Sequence, residues 1–232
     1  MGIFESDFDT SFDDQLGDID GVNRLPWVGV NYKDTNLKTL VLGESVYDWN
    51  PKDPSSAGRI SDSDNLRKLH KAHAFDFKRN SKFVRNIERA IYSKKTPTNE
   101  EKAEFWSSVV YHNLVSRVIK TKKHRPAYVD YYFGWKTFDK LTSVFDVDQV
   151  IVYGLESVKI KAFKDYFKDA GITHLQSSNL EKVGRFKPKK FIIEKDGRNI
   201  SILFIRHPSA FFSWKKWSSV IRSEITVPGQ IA

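Results

Sequence analysis

The 232-residue sequence contains no cysteine. This excludes disulfides and thiolate metal sites, and it fits a reducing compartment, so a cytoplasmic location is expected. No apolar run approaches the roughly 20 residues that a membrane helix needs, so no membrane association is expected. The N-terminus lacks a basic start followed by an apolar stretch, and no signal peptide is read there. No glycine-rich phosphate cradle occurs: Gly43 and Gly154 stand alone after apolar runs. A nucleotide cofactor is therefore not expected. His70 and His73 lie one helical turn apart, but no third ligand is evident nearby, so neither metal nor any other cofactor is expected. Internal repeats and low-complexity segments are also missing.

One further absence is local. The first twenty residues hold seven acids (Glu5, Asp7, Asp9, Asp13, Asp14, Asp18, Asp20) and no Lys or Arg. Phe4, Phe8, Phe12 and Leu16 recur every four residues there, which would place them on one face of a short helix. Residues 1–20 read as an acidic N-terminal arm, either a partly ordered tail or a segment docked by its Phe face that competes with DNA. Residues 21–232 read as a single α/β domain. With 38 basic residues against the 22 acids left outside the arm, that domain carries a formal charge of +16. Such a charge, in a chain with 14% aromatics, points to a polyanion partner, nucleic acid first.

The apolar runs set the fold class. Thr39–Leu42 ends at Gly43, followed by Glu44, Ser45, Val46, Tyr47 and Asp48. Further runs are Ser108–Val115, Gln149–Gly154, and Ile200–Ile205 followed by Arg206, His207, Pro208 and Ser209. Short apolar runs closed by polar residues suit buried parallel strands, whose carboxyl ends border the ligand crevice. Helical spacing covers 65–93, a segment begun by the Thr98 or Asn99 cap, about Ala127–Phe145, Glu156–Ala170, and Phe211 to about Ser223. Phe191–Glu194 and Ile200–Ile205 flank Lys195-Asp196-Gly197-Arg198, a hairpin signal. Leu25–Tyr32 reads as an extended lead-in and 50–65 as loop. Strands alternating with helices predict a three-layer α/β/α fold with a central four-stranded, mainly parallel sheet. Glu44, Ser45, Tyr47 and Asp48 would then face His207 and Ser209 across one crevice.

The order Gly43-Glu44-Ser45-Val46-Tyr47, Asn113 at a strand end, a strand closed by Gly154, and His207-Pro208-Ser209 before an aromatic helix resembles the uracil-DNA glycosylase superfamily. The resemblance spans roughly residues 25–225. It implies hydrolysis of the N-glycosidic bond of a flipped pyrimidine. It implies that Asn113 reads the base edge and Tyr47 walls the pocket. His207 would hydrogen-bond the leaving base, and Ser209 would grip a phosphate. Residues after that motif, here Ala210, Phe211 and Phe212, would wedge into the DNA stack. Ser45 stands where the best-known branch has its catalytic Asp, so Glu44, Ser45 and Asp48 share the nomination for placing water.

These residue types suit the reaction. A donor aimed at the leaving base stabilises its anion. An aromatic wedge can fill the gap left by a flipped base. Lys215 and Lys216 would bind the backbone of single- or double-stranded DNA in a salt-dependent way. Phe75, Phe77 and Trp49 are candidates for stacking on the base. Uracil is the substrate the resemblance implies, with a modified pyrimidine of viral DNA as rival. A monomer is expected. The alternative is a catalytically silent member that binds DNA or a protein partner through the same crevice.

Overall fold

A computed structural model describes residues 8–48, 52–76, 81–119, 124–177, 180–209 and 211–227. Its centre is a sheet of seven strands: β1 (Trp27–Val28), β2 (Thr39–Tyr47), β3 (Val109–Ile119), β4 (Gln149–Tyr153), β5 (His174–Ser177), β6 (Lys189–Lys195) and β7 (Arg198–Ile205). They lie in the order β1-β3-β2-β4-β7-β6-β5. The four strands expected from the apolar runs form its parallel middle, β3-β2-β4-β7. The sheet is wider than the four expected strands because antiparallel neighbours cover both sides. β1 pairs with the start of β3, and β6 and β5 extend the other side. β6 follows from the hairpin signal: Asp196 (φ 52°) and Gly197 (φ 73°) turn the chain between paired Lys195 and Arg198. β1 and β5 are too short, at two and four residues, to show an alternating pattern.

Eight helices cover the two faces among the described residues: α1 (Asp13–Gly17), α2 (Ser56–Ser61), α3 (Asn65–Ala74), α4 (Lys82–Tyr92), α5 (Asn99–Ser107), α6 (Tyr128–Val144), α7 (Ser157–Asp169) and α8 (Trp214–Glu224). Strand alternation sorts the core. Leu40 and Leu42 of β2 face α1, α6 and α7, packing with Leu16, Trp135 and Phe163. Val41 faces α3, α4, α5 and α8, packing with Leu66, Ile87, Trp106 and Trp217. Because β2 lies between β3 and β4, the chain leaves β2 across one face and returns from β3 across the other. The carboxyl ends of β2 and β4 therefore form a topological switch point, where open α/β sheets bind ligands.

Several expectations need correction. β2 does not end at Gly43 but runs to Tyr47, and Asn113 lies inside β3 rather than at its end. The helical stretch 65–93 is two helices, α3 and α4, and the stretch read as loop contains α2. Phe211 takes a left-handed conformation (φ 52°) outside α8, which begins at Trp214. Of the two alternatives for the acidic segment, the residues from Phe8 onward take the docked one, by their Phe face. Leu16 is buried, Phe12 meets Tyr32 and Phe145, and Phe8 packs on Trp27. Two of its acids are also engaged: Asp13 pairs with the buried Arg67, and Asp9 with Lys33 at 3.4 Å. Arg67 is thereby held in the interior at 1% exposure. No helix among the described residues is long and apolar enough to cross a membrane.

Candidate functional site

The register places the sequence-nominated residues at one level of the sheet. β2 pairs with β4 only as far as Leu42 and Val152, while beside β3 it continues to Tyr47. Gly43 is opposite Asn113, and Tyr153 opposite Ile205. Beyond that level β4 and β7 have stopped, and β2 and β3 stand up as one wall of the crevice. Alternation then splits the wall. Glu44 continues the Leu40–Leu42 face, whereas Gly43 and Ser45 continue the Val41 face.

Glu44 is 3% exposed and accepts four donors. Its Oε1 receives the Tyr131 hydroxyl (3.0 Å) and Lys159 Nζ (3.5 Å). Its Oε2 receives Arg125 (2.8 Å) and the Tyr47 hydroxyl (3.2 Å). Arg125 also donates to the Tyr47 oxygen at 3.1 Å. Burial and the neighbouring Glu44 charge raise the Tyr131 phenol well above its ordinary range, so it stays a donor. Lys159 is fully buried and donates to the Tyr153 carbonyl (2.6 Å) and to Glu156 Oε2 (2.8 Å) as well. A buried ammonium is tolerated only with such compensation. The result is a compact cluster of two carboxylates and two cations at the end of β4.

His207 lies within electrostatic reach of this cluster. Its Nδ1 accepts the Ser209 backbone N–H at 3.2 Å, so in the neutral ring the proton resides on Nε2. Burial lowers the imidazole to about 4; Glu44 and Glu156 oppose that shift, while Lys159 and Arg125 reinforce it. The ring is edge-on to Tyr153 (5.7 Å) and Phe83 (6.5 Å). α4 holds the loop from outside, because Asn86 donates to the Pro208 carbonyl at 2.7 Å.

On the Val41 face the Asn113 amide lies directly over the backbone of Gly43. A Cβ at Gly43 would fall on Asn113 Oδ1 and within 2.7 Å of the Tyr111 hydroxyl. That hydroxyl donates to Asn113 Oδ1 at 3.4 Å, and the Tyr111 ring stacks on His70 at 4.5 Å. The buried Ser45 hydroxyl and the Tyr153 hydroxyl have no hydrogen-bond partner among the described residues.

The other nominees are spread around the rim. Asp48 accepts the Ser56 hydroxyl at 2.8 Å. Ser209, Lys215 and Lys216 are exposed, as is Phe211 at 79%. Phe212 stacks on Trp217 (5.7 Å, 6°), and Phe75 on Trp27 (5.0 Å), so both rings serve packing. Trp49, Phe77 and Ala210 lie outside the described residues. Among those described, no group of three or more His, Cys, Asp or Glu side chains could hold a metal ion. His70 instead packs among Trp27, Trp106 and Tyr111.

Five site residues escaped sequence reasoning: Arg125, Tyr131, Glu156, Lys159 and Asn86. Lys159 left a trace. It lies in line with Ala162, Phe163 and Phe167 on the buried stripe of α7, where a lysine is out of place unless paired. No protein-family model matches the chain, and no curated protein matches its sequence.

Proposed function

We propose that the protein is a DNA glycosylase of the uracil-DNA glycosylase type. In this reading it hydrolyses the N-glycosidic bond of a flipped-out uracil or modified pyrimidine. The observation that carries the reading is the state of His207. Its Nδ1 is occupied by the Ser209 N–H, burial lowers the ring to about 4, and the neutral ring carries its proton on Nε2 at the carboxyl edge of the sheet. A neutral imidazole that donates from a fixed ring nitrogen suits the departing base, which takes on negative charge as the bond breaks. The Asn113 amide, pinned over Gly43, supplies an edge that can pair with a pyrimidine. The Tyr47 hydroxyl steadies Glu44, and its ring would wall the pocket. Ser209, Lys215 and Lys216 would grip phosphates, and the exposed Phe211 would occupy the gap left in the stack.

A second reading, a silent member that binds DNA or a protein through the same crevice, is favoured by one observation. The nominated water-handling groups are committed elsewhere: Glu44 to four donors and Asp48 to Ser56, while Ser45 is a poor base. Base release separates the two readings. DNA carrying uracil, hydroxymethyluracil, or plain or glucosylated hydroxymethylcytosine is incubated with the protein. Free base is then measured by mass spectrometry and abasic sites by alkali. Release from one substrate, lost in Asn113→Ala and His207→Ala, is the expected result. Binding without release from any of them would favour the silent reading.

A further inference from the structure

Glu156 meets the crevice with an access to water that Glu44 lacks. β4 ends at Tyr153, and Gly154 follows with φ +104°. This bend folds the next residues back, so that a Cβ at Gly154 would strike Glu156 Oε2 and Lys159 Nζ. Lys159 then sits 2.8 Å from Glu156 Oε2, 2.6 Å from the Tyr153 carbonyl and 3.5 Å from Glu44 Oε1. Two carboxylates thus share one ammonium at the carboxyl end of a central strand. They differ in commitment. Glu44 is buried and accepts four donors, whereas the Glu156 side chain is 37% exposed and is held by Lys159 and its own backbone N–H.

Resting on the glycosylase reading, we propose that Glu156, not Glu44, Ser45 or Asp48, is the carboxylate that holds and deprotonates the attacking water. The C1′–N bond breaks with its electron pair leaving on the base, where His207 donates to it. The sugar becomes an oxocarbenium cation. Water oxygen provides the electron pair of the new C1′–O bond, and a water proton passes to Glu156 and on to solvent. The base anion takes a proton from solvent, so nucleotide plus water give abasic sugar plus free base. Burial alone would raise the Glu156 carboxyl, but Lys159 holds it below the usual carboxylate range. An anion kept charged in this way also stabilises the developing sugar cation. Glu44, in contrast, is a positioning residue that holds Arg125, Lys159 and Tyr131.

The test is single-turnover base release by the full chain on whichever substrate of the panel the wild type cleaves, with DNA affinity and thermal melting measured in parallel. Glu156→Gln is expected to slow release by about 10²–10⁴-fold, the range of a general base, with affinity retained and the protein still folded, though melting lower, because Lys159 keeps Glu44 and the Tyr153 carbonyl. Formate is expected to restore part of the rate of Glu156→Ala, because a small carboxylate can occupy the emptied place; a purely structural role gives no such rescue. A wild-type rate in Glu156→Gln overturns the assignment, as does a slowed Glu156→Ala that formate leaves unchanged. Failure of the wild type on every substrate overturns the glycosylase reading itself, a distinct result.

Discussion

Gly43 and Gly154 show how one residue type serves the site in two ways. Gly154 has φ +104°, a conformation that L side chains rarely adopt, and it closes β4 as its place after an apolar run implies. Gly43 sits within β2, where any residue fits the backbone, yet the Asn113 amide occupies the space of a side chain. Gly43→Ala should therefore leave the fold intact but push Asn113 out of place. Under the proposed activity, base release should fall by about 10²-fold, the scale of a 1 Å misplacement. Circular dichroism and single-turnover assays check this; an unchanged rate would remove Asn113 from base reading.

At the scale of elements, α4 has a task beyond burial. Its inner face (Val84, Ile87, Ile91) joins the core, while Asn86 and Phe83 reach the His207–Ser209 loop. Asn86→Ala would free the Pro208 carbonyl and loosen the loop that sets the His207 ring. We expect release to slow by about 10-fold, as for a loss of roughly 1.4 kcal/mol of transition-state stabilisation, with DNA affinity nearly unchanged. A rate equal to wild type would mean that the loop holds itself. α5 was legible at its start: of the two caps offered, Thr98 takes the place, accepting the Glu101 N–H while Glu101 accepts the Thr98 N–H in a capping box. The split between α3 and α4 was not legible, since both keep helical spacing and the same basic composition.

At the scale of the whole molecule, charge and titration govern behaviour. The chain carries +9, with Lys215 and Lys216 exposed beside the loop. If both meet phosphates, replacing them with Ala should reduce the slope of log affinity against log salt by about 2. An unchanged slope would place DNA elsewhere. Stability should fall in acid. Burial lowers His112 and His207 to about 4 and His70 well below its ordinary value. Groups depressed on folding take up protons on unfolding, so their contribution is present above pH 6.5 and is lost toward pH 4. Glu88, raised by burial to about 7, works the other way between 4.5 and 7. Three histidines against one carboxylate predict a melting temperature that drops from pH 7 to 4.5; a rise over that range would contradict it.

The sequence alone determined the parallel middle of the sheet, α6, α7 and the Asp196-Gly197 turn. Each follows from local spacing or local backbone preference, which neighbouring residues express without help. The residue types were also legible: Glu44 and Asn113, inside β2 and β3, and His207, after β7, do share one edge of the sheet. Tertiary structure decided how they are used. Three of the four partners of Glu44 (Arg125, Tyr131 and Lys159) lie 81, 87 and 115 positions away. Periodicity tells which way a side chain leaves its own element; it says nothing of which distant group arrives to meet it. That is why a lysine of an amphipathic helix became the centre of the site, and why the acidic segment from Phe8 onward packs on the domain through Phe8, Phe12 and Leu16.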